Sequence, residues 1–360
     1  MEYGLIGAKL GHSYSKIIHE AVCGYSYELH PLPTEEEAHA FMQAKAFKAI
    51  NVTIPYKKLV IPYCDEVEPR AAAIGAVNTV VNRDGKLYGY NTDYTGFAYL
   101  ARCHGVKFAG AVVLVLGTGG THNTVTAVCQ DAGAKQVLTA SRTGKDGALT
   151  YEEAQQHPEI NIIINTTPAG MYPNNGSCLL DLHAFPKLEA VLDCVYNPFR
   201  TELLLRAEEI GVPAYCGFEM LVAQAVYAAE YFLSRKFDDA AGEIGRITAA
   251  LRRDMLNVAL IGMPSSGNSS DLVHWPKSWA KSSSTSTRRS SRPTAAASPT
   301  SSPPRARTAS VRRNPPRPPA LPKRADSCSP AAAASSSGAR ICGRCIRTAS
   351  CSSSTGPWMR

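Results

Sequence analysis

The sequence of 360 residues lacks any apolar run of the roughly 18 residues that a membrane helix needs. It also lacks a signal peptide, because Glu2 and Lys9 flank only a short apolar run. These two features predict a protein without a membrane partner. Its 11 Cys follow no framework spacing, which favours reduced thiols and a cytoplasmic location. The lone C-x-x-C, Cys342 to Cys345, has no second ligand pair, so the sequence predicts no metal site.

Acidic residues are nearly absent from the last part of the chain. After Leu256, 16 Lys and Arg accompany only Asp271 and Asp326, a net charge of +14. The first 256 residues hold 22 Lys and Arg against 28 Asp and Glu, a net charge of −6. The overall charge of +8 therefore averages a slightly acidic globular part and a basic tail rich in Ser, Pro, Arg and Ala. We expect residues 271–360 to be disordered, because few large apolar residues remain to offset chain entropy.

Strands and amphipathic helices alternate in the first 256 residues, which is typical of βαβ units. The alternation predicts an α/β fold of two domains, each with a mostly parallel sheet and helices on both faces. Strands are predicted at 3–7, 25–30, 48–54, the start of Ala111–Gly120, Gln136–Ala140, Asn161–Ile164 and Ala190–Leu192. Helices are predicted near Ser15–Cys23, Thr34–Gln43, Gly217–Leu233 and Asp239–Leu251.

A glycine-rich turn follows the strand in VLVLGTGGT. Gly117 permits a tight turn, and Gly119 lets backbone N–H groups approach a pyrophosphate at a helix N-terminus. The spacing lacks the last glycine of G-x-G-x-x-G, and many such turns bind nothing. The next strand ends in SRTGK, Ser141–Lys145, where Arg142 and Lys145 suit the 2′-phosphate of NADP better than the ribose of NAD. The alternative is a solvated turn that carries two bases.

Three polar clusters follow predicted strands or precede a helix, where ligands of open α/β sheets bind. They are GHSYS (Gly11–Ser15), NVTIPYKK (Asn51–Lys58) and NTD (Asn91–Asp93). The serines either grip a carboxylate or polyol or cap the helix that follows them. A Lys and an Asp in one cleft can form an acid/base pair, although composition alone favours a surface ion pair.

Eight motifs occur in the order GHSYSK, NVTIPYKK, GAVNTVV, GYNTDYTGF, LGTGGTHNT, NTTPAGM, DCVYNPFRT and GFEMLVAQA, over about residues 3–235. Together they resemble shikimate dehydrogenase. The resemblance implies a shikimate-binding catalytic domain of residues 1–92 and 224–254 and a Rossmann-like NADP-binding domain of residues 93–223. It also implies the reversible, NADP-dependent reduction of 3-dehydroshikimate to shikimate, a step of chorismate and aromatic amino-acid biosynthesis.

The resemblance also implies roles for individual residues. Lys57 would be the acid/base residue, paired with Asp93, although Lys58 competes by position. Substrate contacts are implied for Ser13 and Ser15 (carboxylate), for Asn51, Thr53, Asn78, Asp93 and Gln224 (ring hydroxyls), for Lys57, and for Tyr196, which would lie near the nicotinamide end with the segment Gly217–Met220. Cofactor contacts are implied for Gly117, Gly119, Gly120, Thr121, Ser141, Arg142, Thr143, Lys145, Gly217 and Met220.

Two other functions fit parts of this pattern. One is an NAD-dependent quinate/shikimate dehydrogenase, against which SRTGK argues. The other is a relic with a binding role, against which Lys57, Asp93 and GTGG argue. His122 stands where smaller residues are usual in this family, and it either alters cofactor affinity or is a harmless surface histidine. We expect a monomer or a homodimer with a small-molecule substrate.

The segment NVALIGMPSSGNSS begins like a P-loop, GxxxxGK[ST], but Asn268 replaces the lysine. It resembles the opening of shikimate kinase, so residues 257–270 are interpreted as a remnant of a fused, inactive kinase. Permitted codons for Asp271–Ser291, read one base earlier, can encode an amphipathic helix and a strand ending in Asp-x-Asp. We therefore expect the kinase to be out of frame after about residue 270. The alternative is an evolved basic arm; non-specific binding of polyanions would follow from charge alone.

Overall fold

The computed structural model describes residues 1–11 and 13–255, which form two β-sheets flanked by helices. The first sheet has the order β2-β1-β3-β5-β6-β4 and the second the order β11-β10-β9-β7-β8. The first consists of β1 (Tyr3–Gly7), β2 (Glu28–Pro31), β3 (Ala49–Val52), β4 (Glu66–Val67), β5 (Thr79–Arg83) and β6 (Lys86–Tyr90). The second consists of β7 (Val112–Leu116), β8 (Gln136–Ala140), β9 (Ile162–Asn165), β10 (Ala190–Asp193) and β11 (Ala214–Cys216).

The α-helices of this part of the chain complete an α/β fold, which confirms the predicted fold class. They are α1 (Ser15–Cys23), α2 (Glu35–Ala44), α3 (Pro69–Ile74), α4 (Thr92–Cys103), α5 (Gly120–Asp131), α6 (Tyr151–Ala154), α7 (Glu202–Glu209), α8 (Phe218–Phe232) and α9 (Ala240–Met255). The predicted P-loop remnant, 257–270, and the predicted disordered tail, 271–360, lie outside the described residues, as do Cys342 and Cys345.

The second sheet is parallel throughout and is buried on both faces. Along β7, Val113 and Val115 pack with α4 and α5, whereas Leu114 and Leu116 pack on the opposite face with α7 and α9. Strands covered in this way are apolar without alternation, as VVLVL is.

The first sheet is mixed, because β5 runs antiparallel to both β3 and β6. β5 and β6 form a hairpin whose turn residues, Asp84 and Gly85, both have positive φ (52° and 86°). An Asp-Gly pair suits such a two-residue turn. This hairpin was not among the predicted strands, although the sheet is mostly parallel as expected.

β2 begins at Glu28 rather than at the predicted residue 25. The backbone N–H of Tyr27 donates to Oε1 of Glu20 on α1, at 3.1 Å, and so does not join the ladder with β1. The buried ring of Tyr27 instead stacks on His19 of α1, with centroids 4.3 Å apart. The start of the strand is therefore set by contacts with α1.

Helix α8 packs against both halves of the molecule. Near its start, Met220 packs in the core on one face of the second sheet. Near its end, Ala228 and Phe232 pack under the first sheet against Leu5 and Tyr27. The predicted domain boundary at residues 223–224 falls within this helix, and the domain limits stay a prediction.

Candidate active site

A cleft of about 500 Å³ is lined by residues that follow β1 and β3 and by the first turns of α8. All nine residues predicted to contact substrate line it: Ser13, Ser15, Asn51, Thr53, Lys57, Asn78, Asp93, Tyr196 and Gln224. Three of the predicted cofactor residues also line it: Thr121, Gly217 and Met220. Lys9 and Cys194 line it as well but were not predicted; for Lys9, the position just before the GHSYS loop was an available signal.

The topology of the first sheet explains why distant residues meet in the cleft. β1 and β3 are parallel and end at the same edge of the sheet. β5 runs the other way, so Asn78, which directly precedes it, lies at that edge. β6 runs back to the edge, and α4, which carries Asp93 in its first turn, begins immediately after it.

Lys57 and Asp93 form an ion pair in the cleft, with Nζ 2.6 Å from Oδ2. Their side chains are only 19% and 14% exposed, so water screens the pair less than it screens a surface ion pair. Asn91 caps α4 by accepting the N–H of Tyr94 at 3.1 Å, and a carboxylate in the first turn of a helix is favoured by the helix dipole. Lys58, the competing lysine, is exposed and does not line the cleft.

Neither serine at the start of α1 is its N-cap, because that position is Tyr14, which makes no side-chain cap hydrogen bond. Oγ of Ser13 accepts the backbone N–H of Ser15 at 3.2 Å, which fixes the loop at the helix start. Both side chains also line the cleft, and an accepting hydroxyl keeps its own hydrogen for a ligand. Tyr14, between them, packs edge-on against Tyr196 with centroids 6.1 Å apart. Burial raises the pKa of Tyr196, so its phenol stays protonated near neutral pH.

Asp193 is fully buried at the end of β10 and organises the turn that brings Cys194 and Tyr196 to the cleft. Its Oδ1 accepts from the N–H of Val195 at 2.9 Å and from Asn165 Nδ2 at 2.9 Å. Its Oδ2 accepts from Thr201 Oγ1 at 2.6 Å. Burial raises the pKa of this carboxyl to about 6, against the opposing effect of the three donors. The motif DCVYNPFRT contains Asp193, but the sequence did not single it out.

The glycine-rich turn lies between β7 and α5. Gly117 has a φ of 101°, and a Cβ on it would lie 2.7 Å from Cγ2 of Thr167, so both backbone and space require glycine. Among the described residues, no atom beyond the chain neighbours and the backbone of α5 lies within 4 Å of where a Cβ would stand at Gly119 or Gly120. Gly120 opens α5 without a side-chain cap, so the first backbone N–H groups of the helix have no side-chain acceptor. This arrangement suits an anion.

The SRTGK loop neighbours the glycine-rich turn, since the N–H of Gly117 donates to the carbonyl of Ala140 at 2.8 Å. Ser141 is buried and its Oγ accepts the N–H of Gly144, whereas Arg142, Thr143 and Lys145 are exposed. The loop does not line the cleft. His122, half-buried on α5, has Nε2 2.9 Å from Oγ1 of Thr139 on β8, so it links the helix start to the strand that precedes this loop.

Two absences hold for the described residues alone. No group of three or more His, Cys, Asp or Glu there is placed to hold a metal ion. Over the same residues, every helix is too short or too polar to span a bilayer.

This chain is similar to known proteins of one family. A family model described as the shikimate dehydrogenase substrate binding domain matches residues 5–80. A shikimate dehydrogenase (NADP(+)) of Clostridium perfringens (strain SM101 / Type A) is 37% identical over 258 residues, which cover 67% of this chain and 95% of the relative.

Two solved structures are similar to this chain. The chorismate mutase/shikimate 5-dehydrogenase fusion protein from Clostridium acetobutylicum has a TM-score of 0.64 and 33% identity, covering 70% of this chain and 97% of that chain. The shikimate 5-dehydrogenase from Thermus thermophilus, in complex with NADP(H) and shikimate, has a TM-score of 0.61 and 28% identity, covering 69% of this chain and 99% of that chain.

Proposed function

Because this chain belongs to the shikimate dehydrogenase family, we propose that it catalyses the reversible reduction of 3-dehydroshikimate to shikimate with NADPH. The predicted family and enzyme class, an oxidoreductase, are confirmed by the relative at 37% identity. The observation that supports the specific reaction is the Lys57–Asp93 pair, largely buried in a cleft with polar walls.

Lys57 acts as the proton donor in the direction of reduction. Negative charge develops on the ketone oxygen as the carbonyl is reduced, and the ammonium group stabilises that charge and then transfers a proton to it. Asp93 holds the ammonium in the cleft through the 2.6 Å contact. In the direction of oxidation, Lys57 takes the hydroxyl proton back.

The residues around the glycine-rich turn fit NADP. The open space at Gly119 and Gly120 and the uncapped start of α5 suit the pyrophosphate. The exposed cations Arg142 and Lys145, with Ser141 and Thr143 beside them, suit a 2′-phosphate. When bound, the cofactor supplies or accepts the hydride. Thr121, Gly217 and Met220 line the cleft and are proposed to contact its nicotinamide end, beside Tyr196.

The remaining cleft residues are proposed to hold the substrate. Ser13 and Ser15 bind its carboxylate, and the exposed Lys9 at the rim favours an anion. Thr53 and Gln224 contact ring hydroxyls; Nε2 of Gln224 donates to the carbonyl of Leu221 at 2.9 Å, and Oε1 is an acceptor for a hydroxyl. Asn51 and Asn78 are also proposed to contact ring hydroxyls.

The test compares two adjacent lysines in the full chain. Lys57→Ala should lower kcat for shikimate oxidation by at least about 10²-fold, as loss of a positioned acid/base does, with a smaller effect on KM. Lys58→Ala is the matched control and should leave kcat unchanged, because Lys58 is exposed and outside the cleft. A near-normal kcat for Lys57→Ala would refute the assigned role.

The wild-type chain provides the test of the reaction itself. Shikimate with NADP⁺ should give NADPH, at a higher kcat/KM than quinate with NAD⁺ gives NADH. The opposite ranking would favour the quinate/shikimate alternative, and no turnover with either pair would leave only a binding role.

We further propose that residues 257–270 are the remnant of a kinase and that the chain does not phosphorylate shikimate. Asn268 carries no charge where the P-loop lysine would contact the transferred phosphate. Sequencing the gene across the codons for Gly262–Trp275 tests the shifted reading frame. A neighbouring frame without a kinase-like sequence would refute it, and ATP-dependent phosphorylation of shikimate by this chain would refute the loss of kinase activity.

A further inference from the structure

A buried hydrogen-bond network stands behind the wall of the cleft. Asn51 and Asn78 line the cleft but are only 5% and 3% exposed. Their amides are bonded from behind by Tyr27, Thr79 and Thr92, whose side chains are almost fully buried and do not line the cleft. Because a primary amide has two hydrogens and one oxygen, the bonds made at the back determine what each amide offers at the front.

The amide of Asn51 is left as an acceptor. One nitrogen hydrogen goes to the backbone carbonyl of Asn78, at 3.3 Å, and since a carbonyl can only accept, this atom must be Nδ2. The other goes to Oγ1 of Thr79 at 3.1 Å. Oδ1 accepts the hydroxyl hydrogen of Tyr27 at 2.8 Å. Both hydrogens are used, so only a second lone pair on Oδ1 remains for a ligand.

The amide of Asn78 has the opposite polarity. Its Oδ1 lies 2.7 Å from the backbone N–H of Thr92, which can only donate, so this atom must be the oxygen. The same oxygen accepts from Thr79 Oγ1 at 3.0 Å and lies 3.2 Å from Thr92 Oγ1. In the described part of the chain Nδ2 donates to no protein atom, and so its hydrogens remain for a ligand.

Tyr27 is held as a neutral donor. Burial raises the pKa of its phenol well above the ordinary value of 10.0. Its ring stacks on His19, with centroids 4.3 Å apart and planes 10° apart. Burial lowers the pKa of His19 to about 3, with the Asn51 amide opposing more weakly, so the imidazole is uncharged near neutral pH. Nδ1 of His19 is in turn 2.8 Å from the hydroxyl of Tyr25.

We propose that Tyr27 and Thr79 are positioning residues that, together with the backbone groups of Asn78 and Thr92, fix opposite roles on the two cleft amides, so that toward a ligand Asn51 only accepts and Asn78 only donates. This inference rests on the proposed function. The opposite roles of the two amides select a substrate that carries a hydroxyl where they contact its ring. A hydroxyl can donate to Asn51 and accept from Asn78 together, whereas a keto or ether oxygen can only accept. The pair therefore favours a substrate that carries a hydroxyl at the position the two amides contact.

The first test compares two tyrosines. Tyr27→Phe should raise the KM for shikimate about tenfold, the effect of one lost hydrogen bond, with a smaller change in kcat and an unchanged KM for NADP⁺. Tyr25→Phe is the matched control, because it removes the same hydroxyl from a ring bonded to His19 rather than to Asn51. It should leave the KM for shikimate within about twofold of wild type. Equal effects of the two variants would overturn the proposal.

A double-mutant cycle separates positioning from a general loss of structure. In an Asn51→Ala background, Tyr27→Phe should change the KM for shikimate by less than about twofold, since the amide it orients is gone. A full tenfold effect in that background would show that Tyr27 acts by another route. Thermal unfolding of each variant identifies any that fail to fold.

Thr79 provides an independent test that does not depend on Tyr27→Phe folding. Thr79→Val removes the hydroxyl and should raise the KM for shikimate at least about tenfold, because it accepts from Asn51 and donates to Asn78. Thr79→Ser keeps the hydroxyl and should restore the KM to within about threefold of wild type. Equal KM values for the two variants would overturn the proposal, whereas absent shikimate oxidation in the wild type would instead refute the proposed function.

Discussion

The variant Asp193→Asn, which replaces a buried carboxyl by an amide, should be less stable than the wild type at acid pH and more stable than it at alkaline pH. In the folded chain burial raises the pKa of this group from 3.8 to about 6. A raised folded pKa means that the stability contribution is complete below pH 3.8 and is lost as the pH rises through 6. A shift of about two pKa units corresponds to roughly 3 kcal/mol at pH 8.

The amide variant, Asp193→Asn, removes this dependence at the cost of one hydrogen bond. An amide oxygen in place of Oδ1 keeps the bonds from Val195 and Asn165, but an NH₂ group in place of Oδ2 cannot accept from Thr201. That loss is about 1 kcal/mol. We therefore expect Asp193→Asn to be less stable than wild type by up to about 1 kcal/mol at pH 4 and about 2 kcal/mol more stable at pH 8.

Urea denaturation followed by circular dichroism at pH 4, 5, 6, 7 and 8 measures both proteins. The titratable neighbours of Asp193 are Cys178, Cys194 and Cys216, whose pKa values are all raised by burial. They stay protonated over most of this range and are common to both proteins. A stability difference that does not vary with pH would refute the reasoning. A variant that loses most at pH 8 would show that the three donors outweigh the burial of the charge.

Two further predictions concern the cofactor and the tail. Arg142→Ala should raise the KM for NADPH at least about tenfold and the KM for NADH less than about twofold, because only NADPH carries the 2′-phosphate; equal changes would mean that Arg142 does not contact that group. Ending the chain after Met255 should leave kcat for shikimate and the unfolding temperature close to those of the full chain. The residues that line the cleft all lie between Leu5 and Gln224. A loss of activity on truncation would show that the tail contributes to the enzyme.

Local pattern was enough to predict most elements of the fold. β1 and β8 have the predicted limits, and α1 spans the predicted Ser15–Cys23, because these segments have clear apolar periodicity and end at glycine or polar residues. The β5–β6 hairpin was missed although Asp84-Gly85 between two apolar runs is a strong turn signal. That omission mattered, because the antiparallel course of β5 is what places Asn78 at the edge of the cleft.

The sequence predicted many of the residues that line the cleft but not the buried hydrogen bonds that hold them in place. Motif order identified Asn51 and Asn78, since each lies in a stretch that resembles the family. Nothing in the sequence indicates that Tyr27, 24 residues away, bonds to Asn51, or that Thr201 bonds to Asp193. Such contacts depend on how helices and strands pack after they form, and neither propensity nor periodicity carries that information.

The position of α8 has a consequence for the order in which the protein is made. The apolar strip under the first sheet includes Leu5 and Tyr27 but is completed by Ala228 and Phe232, and Tyr231 covers Tyr90 with ring centroids 3.9 Å apart. The last strand of that sheet ends at Tyr90, roughly 140 residues before these partners are synthesised. At roughly 5–20 residues per second, translation leaves that strip uncovered for about 7–28 s. During this interval the nascent chain exposes apolar surface that α8 later covers, and such surface is prone to aggregation.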